Sequence, residues 1–120
     1  MINLFNIKEK ARLINDYWTP IIIGELNGQY IKLAKIKGEF IWHKHENEDE
    51  LFQVIEGQMF MHLRDRIIEL NKGECIIIPK NIEHKPVANI ETLILLFEPK
   101  STLNTGNQIS DLTKFDLDFA

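Results

Sequence analysis

The chain has 120 residues and a mass of 14.1 kDa, with 44% hydrophobic and 27% charged residues. Such values match one ordinary globular domain and exclude a fibrous or largely disordered chain. A formal charge of -4, a pI near 5.5 and scattered lysines give no basic footprint of the kind nucleic-acid binding needs, so no nucleic-acid partner is expected.

The longest apolar run, Thr92 to Phe97, is far below the roughly 18 residues of a membrane span, so no membrane association is expected. Met1 to Lys10 alternates apolar with polar residues and lacks the continuous apolar stretch of a signal peptide. With one cysteine, Cys75, the chain cannot form an intrachain disulfide, which agrees with a cytoplasmic location. Cys75 falls in an apolar run and is expected to be a small buried hydrophobe.

In chain order, Asn6 with Glu9 three residues on forms a helix-start signal leading into Lys10 to Leu13, and Pro20 ends any helix. Ile21 to Leu26 then meets Tyr30 to Ile36 across Asn27-Gly28, a strong hairpin signal. From Gly38 onward, short β-rich runs follow at Glu39 to His45, Glu50 to Ile55, Gln58 to Leu63, Ile67 to Leu70, Cys75 to Ile78, Glu83 to Val87 and Thr92 to Phe97. Turn residues separate them, among them Gly57, Asn71-Lys72-Gly73, Pro79 to Asn81 and Ala88 to Glu91. This pattern predicts an antiparallel β-barrel with its core at about residues 21–98, an N-terminal arm over 1–20 and a C-terminal tail over 99–120 that packs back on it.

His43 and His45 alternate with Lys44 in a strand-like run, which puts both imidazoles on one face, where two nitrogens can reach one ion. Glu50 follows a four-residue polar loop and can return a carboxylate to that face. His84, 34 residues further on, opens a strand that a closed barrel can bring into the same interior. Nearby Glu46, Glu48 and Asp49 are expected to be solvated, and alternation places His62 opposite Met59 and Met61, outside the pocket.

These residues resemble the two motifs of the cupin superfamily. The first appears as Gly38, His43-x-His45, four residues, Glu50, six residues and Gly57; the second as Gly73, five residues, Pro79, one residue, Asn81, two residues and His84. The spacing departs from the family in three places. Gly38 precedes His43 by four residues rather than five, Asn81 stands where the family has glycine, and the last motif asparagine is displaced to Asn89. No departure removes a ligand. The resemblance implies an all-β, antiparallel double-stranded β-helix, the cupin or jelly-roll barrel, with His43, His45, Glu50 and His84 holding one divalent metal ion.

Three nitrogens and one carboxylate suit Fe, Mn, Ni, Co, Cu or Zn rather than Mg or Ca. Alternation makes Ile41, Phe52 and Val54 inward, and Met59, Met61 and Leu63 add apolar wall, with no Arg or Lys placed inside. The expected ligand or substrate is therefore a small neutral or weakly polar molecule. By analogy with small cupins the expected activity is that of a metal-dependent, oxygenase-like enzyme; the alternative is a non-catalytic small-molecule or metal-binding module. Phe40 and Trp42 alternate with Ile41 and His43 and are expected to point away from the cavity, which predicts a homodimer that covers them.

Overall fold

The computed structural model describes residues 2–120; Met1, the first residue of the expected N-terminal arm, lies outside the described residues. Helix α1 spans Ile7–Ala11 and begins as the sequence predicts: the Asn6 side-chain oxygen accepts a hydrogen bond from the Glu9 N–H at 3.0 Å. Ala11 and Ile14 bury themselves against Ile21, Ile23, Leu33 and Leu93, so the arm covers the outer face of the sheet.

Strands β1 (Ile21–Leu26) and β2 (Gln29–Glu39) form the expected hairpin. Asn27 and Gly28 sit at φ 50° and 76°, the two left-handed positions that a tight type I′ turn requires. Strands β3 (Glu50–Glu56), β4 (Gln58–Leu63), β5 (Ile67–Asn71), β6 (Cys75–Ile78) and β7 (His84–Pro99) complete an antiparallel sheet. The strand order is β1-β2-β7-β3-β6, with β4 joining β7 and β5 lying beyond β4. This is the barrel the sequence implies.

The organising element is β7, which pairs with β2, β3 and β4. Two strands separated by a turn at Ala88 to Glu91 were expected; the structure has one 16-residue strand instead. Asn89, Ile90 and Glu91 are exposed where the β2 register shifts from Ile36↔Thr92 to Gly38↔Ala88. The turn signal thus marks a corner at which one strand passes between the barrel's two halves. Gly57 makes the neighbouring corner possible. Its φ is 98°, and a Cβ there would lie 2.4 Å from Thr92 Oγ1 and 2.9 Å from Thr92 Cα.

Inside the barrel, Ala34, Ile36, Phe52, Val54, Met59 and Met61 form the centre of the core. The tail returns as expected: Ile22 bridges Phe119, Ala120 N–H donates to Ile22 O at 2.8 Å, and Thr102 and Thr105 are buried.

Two further expectations fail. Glu39 to His45 is not a strand, because β2 ends at Glu39 and His43 makes only an isolated bridge to His84. Cys75 is exposed, not buried. It sits on β6, which among the described residues pairs with β3 alone; along it burial alternates, and Ile78 turns inward while Cys75 and Ile77 face out. Among the described residues, no helix is long and apolar enough to cross a membrane.

Candidate metal centre

His43 and His84 are brought together by a hydrogen-bonded pair of backbones, His43 N–H to His84 O at 3.1 Å and His84 N–H to His43 O at 2.9 Å. Their rings stand 4.2 Å apart, centroid to centroid. His45 is located by the Pro79 turn, since the Asn81 N–H donates to His45 O at 2.8 Å. Asn81 has φ 67°, so it takes the left-handed position a glycine would fill, which asparagine tolerates best among the other residues. The Asp49 carboxylate accepts from the Lys80 N–H at 2.8 Å, and Glu48 accepts from Ser101. Those two acids therefore hold loops together and stand outside the donor set, as expected. Glu50 is the first residue of β3.

The four side chains converge as the spacing predicts: one donor atom from each of His43, His45, Glu50 and His84 lies within 4.8 Å of every other. All four residues are buried. Glu50 Oε1 is 3.0 Å from His45 Nε2 and 3.2 Å from His84 Nε2. The opposite nitrogens of two rings are engaged, with His43 Nδ1 donating to Ile41 O and His84 Nδ1 to Ile82 O, each at 2.8 Å. That tautomer leaves the Nε2 lone pairs free to face an ion.

A divalent ion fits this donor set. His45 Nε2, His84 Nε2 and Glu50 Oε1 crowd one buried focus and find no partner outside it, a costly arrangement that a cation or a shared proton at that focus would relieve. Burial, then the neighbouring His84, lowers the His43 pKa to about 4, which keeps its imidazole neutral as ligation requires. Burial alone would raise Glu50, but hydrogen bonds with Glu98, His45 and His84 outweigh it and hold the carboxylate well below its usual range.

Two of the four, His43 and Glu50, line a cavity of about 40 Å³ walled by Trp18, Ala34, Ile36, Phe40, Phe52, Ile94 and Leu96. Of the wall residues expected from sequence, only Phe52 lines it; Val54, Met59 and Met61 are plain core, and Leu63 packs against that core. Ile41 instead gives its carbonyl to His43. Phe40 turns inward and stacks on Trp18 at 4.9 Å between centroids, contrary to expectation, because the irregular segment after Glu39 breaks the alternation. Trp42 lies on the surface under the Arg64 guanidinium, 3.8 Å from its ring centroid. Both aromatics are thus covered within the chain, and the homodimer expected on their account loses that support. His62 faces away from the site, as expected, since it alternates with the fully buried Met59 and Met61.

Sequence reasoning missed three site residues. Glu98 lines the cavity beside Glu50, Lys32 is buried against Glu98 at 2.8 Å, and Asn104 of the tail closes one side. Lysine and glutamate in a strand suggest solvent, and a tail asparagine suggests a loop; only the alternation of β2 and β7 could have marked Lys32 and Glu98 as inward. The tail is pinned on the segment between the two histidines. Lys44 exchanges hydrogen bonds with Asn107, and a Cβ on Gly106, at φ 55°, would lie 2.2 Å from Lys44 O.

Residues 30–97 match the family model described as "Cupin domain". The chain is a cupin. A crystal structure of a cupin-2 domain containing protein from Shewanella frigidimarina superposes with a TM-score of 0.80 and 43% identity, covering 81% of this cupin and 95% of that chain. The uncharacterized protein YdbB of Bacillus subtilis is 30% identical over 101 residues, 83% of this cupin and 89% of YdbB. More distantly, hydroquinone 1,2-dioxygenase PnpCD, crystallised with Cd2+ and 4-hydroxybenzonitrile, shares the fold at TM-score 0.67 and 16% identity over 80% of this cupin and 72% of that chain.

Proposed function

We propose that His43, His45, Glu50 and His84 hold one divalent transition metal ion, and that this cupin is a metal-dependent, oxygenase-like enzyme acting on a small neutral or weakly polar molecule. The observation that carries this reading is the convergence of four donors, two of which, His43 and Glu50, line an apolar cavity. Four protein ligands leave an octahedral ion two further positions. A redox-capable iron or manganese ion would supply electron transfer to O₂ that an organic substrate does not undertake alone.

The chain's own residues restrict what enters. Trp18 and Phe40 offer a flat apolar wall, and the Trp18 indole N–H is already committed to Lys37 O at 3.0 Å. Asn104 is engaged at both ends, by Leu112 O and the Lys114 N–H. Among the described residues no lysine or arginine lines the cavity, since Lys32 is held behind Glu98, so a phosphate or a second carboxylate would find no side-chain cation beyond the metal itself. At about 40 Å³ the cavity is well below the roughly 300–1,000 Å³ of ligand pockets, so an organic substrate enters only if the Trp18 and Phe40 wall moves aside. The protein named hydroquinone 1,2-dioxygenase shares this fold at 16% identity, a likeness of fold that is compatible with the reaction class proposed.

The test is O₂ consumption by iron-loaded protein against a panel of small hydroxylated aromatics and enols, with product identified by mass spectrometry. Turnover that needs both iron and Glu50 supports the enzyme. Tight calorimetric binding of the same compounds without turnover would instead favour the second reading, a non-catalytic binding module. A free thiol at Cys75, exposed and unpaired, fits placement in the reducing cytoplasm.

A further inference from the structure

The ladder of β3 with β7 pairs Leu51 with Phe97, which sets Glu50 across from Glu98 one step further along. On the other side of β7, β2 pairs Tyr30 with Glu98 and Lys32 with Leu96, so Lys32 lies diagonal to Glu98 on the same inner face. Three adjacent strands thus carry a row of buried ionisable side chains, Lys32, Glu98 and Glu50, that ends at the histidine cluster. Lys32 Nζ stands 2.8 Å from Glu98 Oε1, and both side chains are 2% exposed. Glu98 Oε2 is buried without a hydrogen-bond partner.

Stability does not account for this row. A buried lysine–glutamate pair is rarely better than two apolar residues of the same size, because desolvation offsets the attraction. Two carboxylates on neighbouring strands repel unless they share a proton. The surface pairs of this chain, such as Lys100 with Glu25 or Arg64 with Glu83, carry no such penalty. What distinguishes the buried row is its neighbour: a cation at the histidine focus would stand on one side of the two carboxylates, as Lys32 stands on the other.

We propose that Lys32 and Glu98 are positioning residues of the metal centre, Lys32 anchoring Glu98 and Glu98 fixing the neighbouring Glu50 carboxylate. The proposal rests on the metal reading above and adds two residues to it. A ligating carboxylate that is held by an outer group keeps its orientation when the ion arrives, and loss of such a group lowers metal affinity.

The experiment uses Co(II) as probe on the full chain, with affinity measured by competition against a chromophoric chelator and ligand field read from the visible spectrum. Two double variants avoid leaving a lone buried charge: Lys32→Met with Glu98→Leu, and Lys32→Met with Glu98→Gln, which keeps an amide beside Glu50. The leucine variant should melt cooperatively near the metal-free wild type, bind Co(II) roughly 10- to 100-fold more weakly, and show a shifted spectrum. The glutamine variant should recover part of the affinity. A purely structural ion pair would leave the spectrum unmoved, so wild-type affinity and spectrum in the leucine variant overturn the proposal. If the leucine pair does not fold, the glutamine variant decides by the same two readouts: a weakened site with an altered spectrum supports the proposal, and wild-type values reject it. A wild type that retains no Co(II) removes the metal reading itself, and the proposal with it.

Discussion

Replacing Glu50 with Gln separates the stability an ion confers from the stability the barrel has without one. The barrel core of Ile36, Phe52, Val54, Met59, Met61 and their neighbours forms a cluster in its own right, and 120 residues are enough to fold around it, unlike a small zinc finger. In the absence of an ion, Glu50 Oε1 stands within hydrogen-bond reach of two imidazoles, so the focus can be satisfied by a shared proton. An ion that binds only the native state, free at a hundred times its dissociation constant, adds about 2.7 kcal/mol. With an unfolding entropy of about 2.1 cal/mol/K per residue, a chain of this length gains roughly 4 °C per kcal/mol, hence about 11 °C. Calorimetric scans should show wild type with metal melting about that far above chelated wild type. Glu50→Gln, nearly isosteric, should melt within a few degrees of the chelated protein and not respond to metal. A chelated wild type already unfolded at room temperature would make the ion structural and refute the reasoning; identical melts with and without metal would refute binding.

Four further outcomes are expected. Gly106→Ala should speed metal loss to a chelator several-fold, because its Cβ would meet the Lys44 carbonyl at 2.2 Å and lift the tail from beside His45; stopped-flow exchange measures it. Gly57→Ala, which would meet Thr92 backbone at 2.9 Å with φ at 98°, should cost more than about 1 kcal/mol in urea unfolding. Trp42→Ala should leave the mass seen by light scattering unchanged, since Arg64 of the same chain covers that ring, and cost about 0.5–1 kcal/mol. One equivalent of Ellman's reagent should react rapidly with native protein at exposed Cys75; slow reaction limited by unfolding would contradict its outward position on β6.

The Asn27-Gly28 turn, the Asn6 cap and the four convergent donors were legible because each depends on residues close in sequence or on a spaced motif. The wall of the cavity was not. Alternation was carried from His43 back to Phe40 across a segment that is not a strand, and that error reversed the direction of Phe40 and hid its stack on Trp18. Lys32 and Glu98 were overlooked for a different reason: each is polar, and only their long-range pairing, 66 residues apart, makes burial tolerable. Cys75 looked like core because its neighbours are apolar, yet alternation along β6 turns it outward with Ile77 while Ile78 turns inward.

The continuity of β7 also sets the order in which the molecule can assemble. Its first residue, His84, donates to the metal focus, while its far end pairs with the beginning of β2, Gln29 opposite Pro99. Contacts of such long sequence separation form slowly, since chain entropy must be lost before they are rewarded. The four donors meet only when this ladder closes, so metal capture should report on the last stage of folding and cannot guide the first. Refolding in the presence of Co(II) would then show the ligand-field absorbance rising with the slowest phase of tertiary structure formation, a clock built into the path of a single strand.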